Sequence, residues 1–187
     1  EVLGENQSGE MLEVDFQLYS DMLNEAVRSL KAGKEPDLAA PLSSTTEINL
    51  HVPALLPEDY CGDVHERLSI YKRLANCESQ DKIDGMQEEL IDRFGKLTEP
   101  VKALIETHRL RIAAKSVGIV KIDAHDEAAN LQFMEKPPID PIKIITLIQK
   151  NRHIKLAGQD KLRISASMPD LAARVTQVKQ TIKQLLA

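Results

Sequence analysis

Glu89, Asp92 and Arg93 stand at i, i+3 and i+4 within the run Glu88-Glu89-Leu90-Ile91-Asp92-Arg93-Phe94-Gly95. On a helix that spacing gathers two carboxylates and a guanidinium into one solvent-facing patch. The chemistry it offers is recognition through ion pairs and charge-assisted hydrogen bonds. Glu89 and Arg93 form an i, i+4 pair of favourable polarity, contributing about 0.3–0.5 kcal/mol on an exposed helix. Ile83, Met86, Leu90 and Phe94 recur at helical spacing and predict the opposite, core-facing side, and Gly95 is predicted to stop the helix.

Other side chains that could do chemistry lack the company they need. The sequence holds no Gly-x-x-x-x-Gly-Lys-Ser/Thr loop, no Gly-x-Gly-x-x-Gly and no Gly-x-Ser-x-Gly elbow. None of His51, His65, His108, His125 and His153 is four residues from another, the spacing that puts two metal ligands on one helical face. His108 lies on an apolar helix face and reads as a hydrogen-bonded core residue. Cys61 precedes a helix, whose N-terminus would lower a thiol pKa; a free cysteine in a turn is the plainer reading. Glu58-Asp59 and Asp123 with Asp126-Glu127 are acidic pairs suited to acid–base work, but they read as solvated turns. The basic residues Lys72-Arg73, Arg109 with Arg111, and Lys179 with Lys183 are dispersed and read as solvated faces.

Composition narrows the classes further. In 187 residues, 42% are hydrophobic and only 3% aromatic, with no Trp, so the core is predicted to be aliphatic. The net charge of −5 argues against a dedicated nucleic-acid module, which needs concentrated basic surface. A local basic patch is compatible with an acidic whole. Cys61 and Cys77, 16 positions apart, make neither a metal motif nor a disulfide framework, as expected of free thiols in a reducing cytoplasm. No apolar run approaches membrane-spanning length, and the start lacks the basic-then-apolar pattern of a signal peptide. A first residue of Glu rather than Met predicts a piece of a longer protein.

The elements that must position the charged patch follow from periodicity and breakers. Leu12, Phe16, Tyr19, Leu23, Ala26 and Leu30 predict a helix over 12–31. Residues 33–45, with Pro36 and Pro41, predict a linker. Glu47 to Val52 alternates like a half-buried strand closed by Pro53, and Asp63 with Glu66 forms a capping-box pattern before a helix. Two more helices are predicted, from about Ser79 to Phe94 and from about Thr98 to Gly118. Ile119–Ala124 and Asn130–Met134 predict a hairpin. Asp140 and Pro141 open a helix, His153–Leu156 and Leu162–Ser165 pair as short strands, and Asp170–Leu186 forms a last helix. The predicted fold class is α+β: a mostly antiparallel sheet with several packed helices on one side, preceded by a helical N-terminal extension.

Two stretches resemble a known family. Leu3-Gly4-Glu5-Asn6-Gln7-Ser8-Gly9, followed by Val14, Phe16, Leu18-Tyr19, Met22-Leu23 and Ala26-Val27, resembles the end of the motor module of bacterial transcription-repair-coupling factors, whose translocation motif the RecG helicase shares. Ile48-x-Leu50-x-Val52-Pro53-x-Leu55-Leu56-Pro57-x-Asp59-Tyr60, Arg67-Leu68-x-x-Tyr71-Lys72-Arg73-Leu74-Ala75 and Glu89–Gly95 resemble their C-terminal domain. The resemblance implies three regions: 1–32 as the motor tail, 33–45 as a linker and 46–187 as a C-terminal regulatory domain. It implies a cytoplasmic parent that is an ATP-dependent DNA translocase, pushes on stalled RNA polymerase and recruits UvrA. It further implies that this domain docks through Glu89, Asp92 and Arg93 on the UvrB-like module of the same protein, masking its UvrA-binding face until polymerase is engaged. Gln7 would belong to the coupling motif. ATP and Mg would act in motor domains outside this sequence, and no catalytic, cofactor or metal residue is implied within it. The competing expectation is a nucleic-acid-binding module that touches DNA directly.

Overall fold

A computed structural model describes residues 46–187. The helix expected over 12–31, the linker over 33–45 and Gln7 lie outside the described residues. In chain order the elements are β1 (Glu47–Asn49), α1 (Val64–Ala75), α2 (Gln80–Phe94), α3 (Glu99–Val117), β2 (Ile119–Ala124), β3 (Ala128–Phe133), α4 (Pro141–Lys150), β4 (Ile154–Leu156), β5 (Lys161–Ser165) and α5 (Leu171–Leu186). They form two compact units, one of Pro53–Ile105 and one of residues 46–52 with Glu106–Ala187.

The first unit is helical. Asp63 caps α1, accepting from the backbone N–H groups of His65 at 2.8 Å and Glu66 at 3.3 Å. The other half of the predicted capping box is redirected, because the Glu66 carboxylate bonds Arg93. Ser79 caps α2 through Lys82 N–H. Ile83, Met86 and Leu90 of the predicted stripe are buried, and Phe94 is half-buried. Gly95 closes α2 at φ 88°, its N–H reaching Ile91 O at 2.9 Å. That left-handed conformation is one glycine adopts at little cost. Pro100 sits in the first turn of α3, where its missing N–H leaves no helical bond unmade.

The second unit is a five-stranded sheet in the order β1-β2-β3-β5-β4. β1 runs parallel to β2 and the other three pairings are antiparallel. The chain is thus α+β with a mostly antiparallel sheet, as its patterning predicts. β1 ends at Asn49 rather than Val52, because His51 turns the chain with φ 54° while its N–H bonds Asn49 Oδ1. β3 begins at Ala128, two residues before the expected Asn130.

One face of the sheet (Ile122, Leu131, Leu162 and Ile164) packs into an aliphatic core with Leu110 and Ala114 of α3, Leu147 of α4 and the α5 stripe. In that stripe Val175, Val178, Ile182 and Leu185 are all buried, each contributing about 1.5–3 kcal/mol of transfer free energy. Asp140 and Asp170 cap α4 and α5 as the sequence suggests. Arg174 is buried and has no carboxylate partner among the described residues. Its Nε donates to Met168 O at 3.0 Å and an Nη to Leu50 O at 2.9 Å, satisfying carbonyls that no ladder reaches. Gly118 joins α3 to β2 at φ 73°, and a Cβ there would lie 2.7 Å from Pro138 Cδ.

Candidate functional site

The end of α2 is held by the packing beneath it. Leu90 anchors its inner side. The Tyr60 hydroxyl lies 3.2 Å from Leu90 O and 3.0 Å from Gly95 O, so it donates into the helix's last turn. The Tyr60 ring packs on Phe94 with centroids 5.6 Å apart, and burial pushes its phenol pKa up. A helix end fixed in this way presents its outer residues in a set orientation.

Those outer residues form a four-member ion network. Arg73, on α1, makes a two-pronged contact with Glu89, its Nη atoms 2.6 and 2.7 Å from the two carboxylate oxygens. Glu89 also accepts from Arg93 at 3.4 Å, and Arg93 turns its other Nη to Glu66. The Arg93 guanidinium lies 4.9 Å from the centre of the Phe94 ring, a cation–π distance. The hydrogen bond from Arg73 holds the Glu89 carboxyl below its usual range, and the same bond raises the Arg73 pKa.

All three residues singled out from sequence therefore lie on α2, but in different situations. Glu89 is turned toward Arg73 of α1. Arg93 is exposed yet committed to Glu66 and Glu89. Asp92 is exposed, and its side chain makes no hydrogen bond or ion pair among the described residues. The i, i+4 pair expected between Glu89 and Arg93 is present, but it is the longer of the two contacts Glu89 makes. The residues missed were Arg73, read as part of a solvated face, and Glu66, read only as a capping residue. Helical periodicity reports neighbours on one helix and carries no signal for a pair across two.

Other candidates fall away on geometry. Cys61 is fully buried, and burial, reinforced by Glu66, pushes its thiol pKa up rather than down, so it stays protonated. Cys77 is also buried, its Sγ donating to Arg73 O at 3.2 Å. Asp123 stands on β2 rather than in a turn, with its carboxylate 2.8 Å from His51 Nε2. His108 is buried, its Nδ1 accepting from Arg111 Nε at 3.3 Å while its Nε2 has no partner among the described residues. Lys179 pairs with Glu106 at 2.8 Å. Among the described residues no group of three His, Cys, Asp or Glu could hold a metal ion, and no helix is long and apolar enough to cross a membrane.

Comparison with known proteins gives a consistent pattern. Residues 50–144 match the TRCF domain. The chain is 39% identical over 99% of its length to the transcription-repair-coupling factor of Escherichia coli, and 38% identical over 100% of its length to that of Haemophilus influenzae. It spans only 16% of the length of each of these relatives. A crystal structure of the C-terminal domain of a transcription-repair coupling factor superposes with a TM-score of 0.66 at 21% identity, covering 76% of this chain and 92% of that one. That likeness establishes a shared fold.

Proposed function

This chain belongs to the TRCF-domain family, and on that premise we propose that residues 46–187 act as a non-catalytic regulatory domain of a cytoplasmic transcription-repair-coupling factor. The domain docks on the UvrB-like module of the same protein and masks its UvrA-binding face until RNA polymerase is engaged. Residues 1–32 are the tail of the motor module, with Gln7 in its coupling motif, and 33–45 are the linker. ATP and Mg serve the motor, which drives the parent protein along DNA and displaces stalled polymerase.

The observation that carries this reading is the contrast at the end of α2. Glu66, Arg73, Glu89 and Arg93 neutralise one another, while Asp92 beside them is exposed and unengaged. An intramolecular clasp must hold at the high effective concentration of a tethered partner and still release. One uncompensated carboxylate on a rigid helix suits a single charge-assisted contact to a partner arginine. Glu66 and Glu89 hold Arg93 away from Asp92, and Arg93 remains open enough to add a second contact.

The test is binding in trans. The 187-residue chain is titrated against the isolated UvrB-like module by calorimetry, with and without Asp92→Ala. The expected result is saturable, salt-weakened binding that the substitution reduces by about tenfold, the cost of one charged hydrogen bond. Equal binding by both forms would remove Asp92 from the interface.

A further inference from the structure

The sheet has a second face, opposite the core. Strand alternation sends Lys121, Asp123, Asn130 and Gln132 to the side away from Ile122 and Leu131. The register continues these rows outward: Asn130 stands beside Arg163, Gln132 beside Lys161, and Arg163 beside Lys155. Charge changes along the rows. At the β1–β2 end each acid has a partner, Glu47 with Lys121 at 3.9 Å and Asp123 with His51. β3 contributes only the neutral Asn130 and Gln132. At the β5–β4 end Lys161, Arg163 and Lys155 are all exposed, and the exposed Lys150 and Arg152 lead into β4.

These cations are uncompensated. Among the described residues the Arg163 side chain makes one hydrogen bond, to Asn130 Oδ1 at 3.4 Å. Lys150, Arg152, Lys155 and Lys161 make no side-chain hydrogen bond or ion pair among the described residues. The nearest acid in sequence, Asp160 of the β5–β4 turn, accepts from Gln132 Nε2 at 3.2 Å. Arg73, Arg93 and Lys179, by contrast, all have carboxylate partners. Lys155 directly opposite Arg163 is a like-charge cross-strand pair, which destabilises a sheet. An anionic ligand on this face would relieve it.

We propose that this face binds the phosphate backbone of a nucleic-acid duplex without reading its sequence. Same-face side chains two residues apart on a strand lie about 7 Å apart, so the three cations form a short array suited to successive phosphates. Among the described residues no Phe, Tyr or Trp stands in these rows, so the face lacks the broad stacking platform that single strands require. Leu156, the exposed apolar residue of β4, alternates to the other side of the strand from Lys155, so apolar and basic groups do not share the single surface a lipid interface needs. Few contacts on a chain of net charge −5 make the affinity modest and steeply salt-dependent. None of these residues belongs to the α2 patch, so this inference stands or falls separately from the docking function.

The test is fluorescence anisotropy of a short mixed-sequence DNA duplex titrated with the 187-residue chain at about 50 mM salt, then across a salt series. Lys155→Gln combined with Arg163→Gln is compared with Lys82→Gln combined with Lys115→Gln, which removes the same charge elsewhere. All four are exposed positions, and far-UV circular dichroism checks that both variants fold. The expected result is saturable binding that the first pair weakens by at least about tenfold, with the slope of log K against log salt falling by about two. The control pair changes affinity by less than about threefold. Absent saturable binding, an equal loss in the control, tighter binding of the matching single strand, or binding to anionic phospholipid vesicles in place of duplex would each overturn the proposal.

Discussion

Asp92 and Glu89 are one helical turn apart on α2 and are predicted to behave oppositely when truncated. Asp92 has no local partner, so Asp92→Ala is expected to change stability by less than about 0.5 kcal/mol. Glu89→Ala strips a carboxylate from two arginines. Both sides of the Arg73 pair are about a third or more exposed, so solvent screening limits the loss to about 0.5–1 kcal/mol. Urea denaturation of the two variants checks the contrast. His108 supplies a pH signature. Burial, with a smaller effect of Arg111, lowers its pKa to about 3, against an ordinary value near 6.5. The folded state therefore disfavours the imidazolium. This contribution is fully present above pH 6.5 and is lost as pH falls from there toward 3, because the unfolded chain takes up the proton first. Between pH 7 and pH 5 the loss is about 2 kcal/mol. His108→Leu is expected to flatten that part of the urea-midpoint profile, and an unchanged profile would assign the acid limb to other groups. The chemical character of Asp92 was legible in the sequence because one helix face suffices to place it. Arg73 was not, since its position at the end of α1 says nothing about which helix lies across from it.

The elements themselves were legible where local chemistry sets them. Asp63, Asp140 and Asp170 mark helix starts because their carboxylates accept first-turn N–H groups, and Gly95 and Gly118 mark ends because each takes a positive φ. The two antiparallel hairpins follow from short connections between alternating runs. The parallel pairing of β1 with β2 did not, because residues 50–118 separate the strands and no local pattern encodes the match. The placement of β5 beside β3, with β4 outermost, was equally silent. Two substitutions probe joints that only the structure reveals. Gly118→Ala sets a Cβ against Pro138 at a φ that L-residues avoid, and is expected to cost about 2 kcal/mol or more in thermal unfolding. Arg174→Met leaves the carbonyls of Leu50 and Met168 without their donor, and is expected to cost about 1–3 kcal/mol.

For the molecule as a whole, composition averages over where the charges sit. A net charge of −5 and dispersed basic residues along the helices argued against nucleic-acid binding. Only strand register reveals that Lys155, Lys161 and Arg163, eight positions apart at most, share one face. Residues 46–187 contain two compact units, Pro53–Ile105 and residues 46–52 with Glu106–Ala187. The TRCF match at 50–144 takes in parts of both. In functional terms the helical unit carries the proposed docking surface and the sheet unit the proposed basic face. The central claim is that Asp92 helps to mask a UvrA-binding surface, and the most direct measurement is the affinity of UvrA for the full-length protein with and without Asp92→Ala. The variant is predicted to bind UvrA more tightly, by about the same tenfold that the trans contact loses, with the folded stability unchanged. Identical UvrA affinities in the two proteins would contradict the masking role.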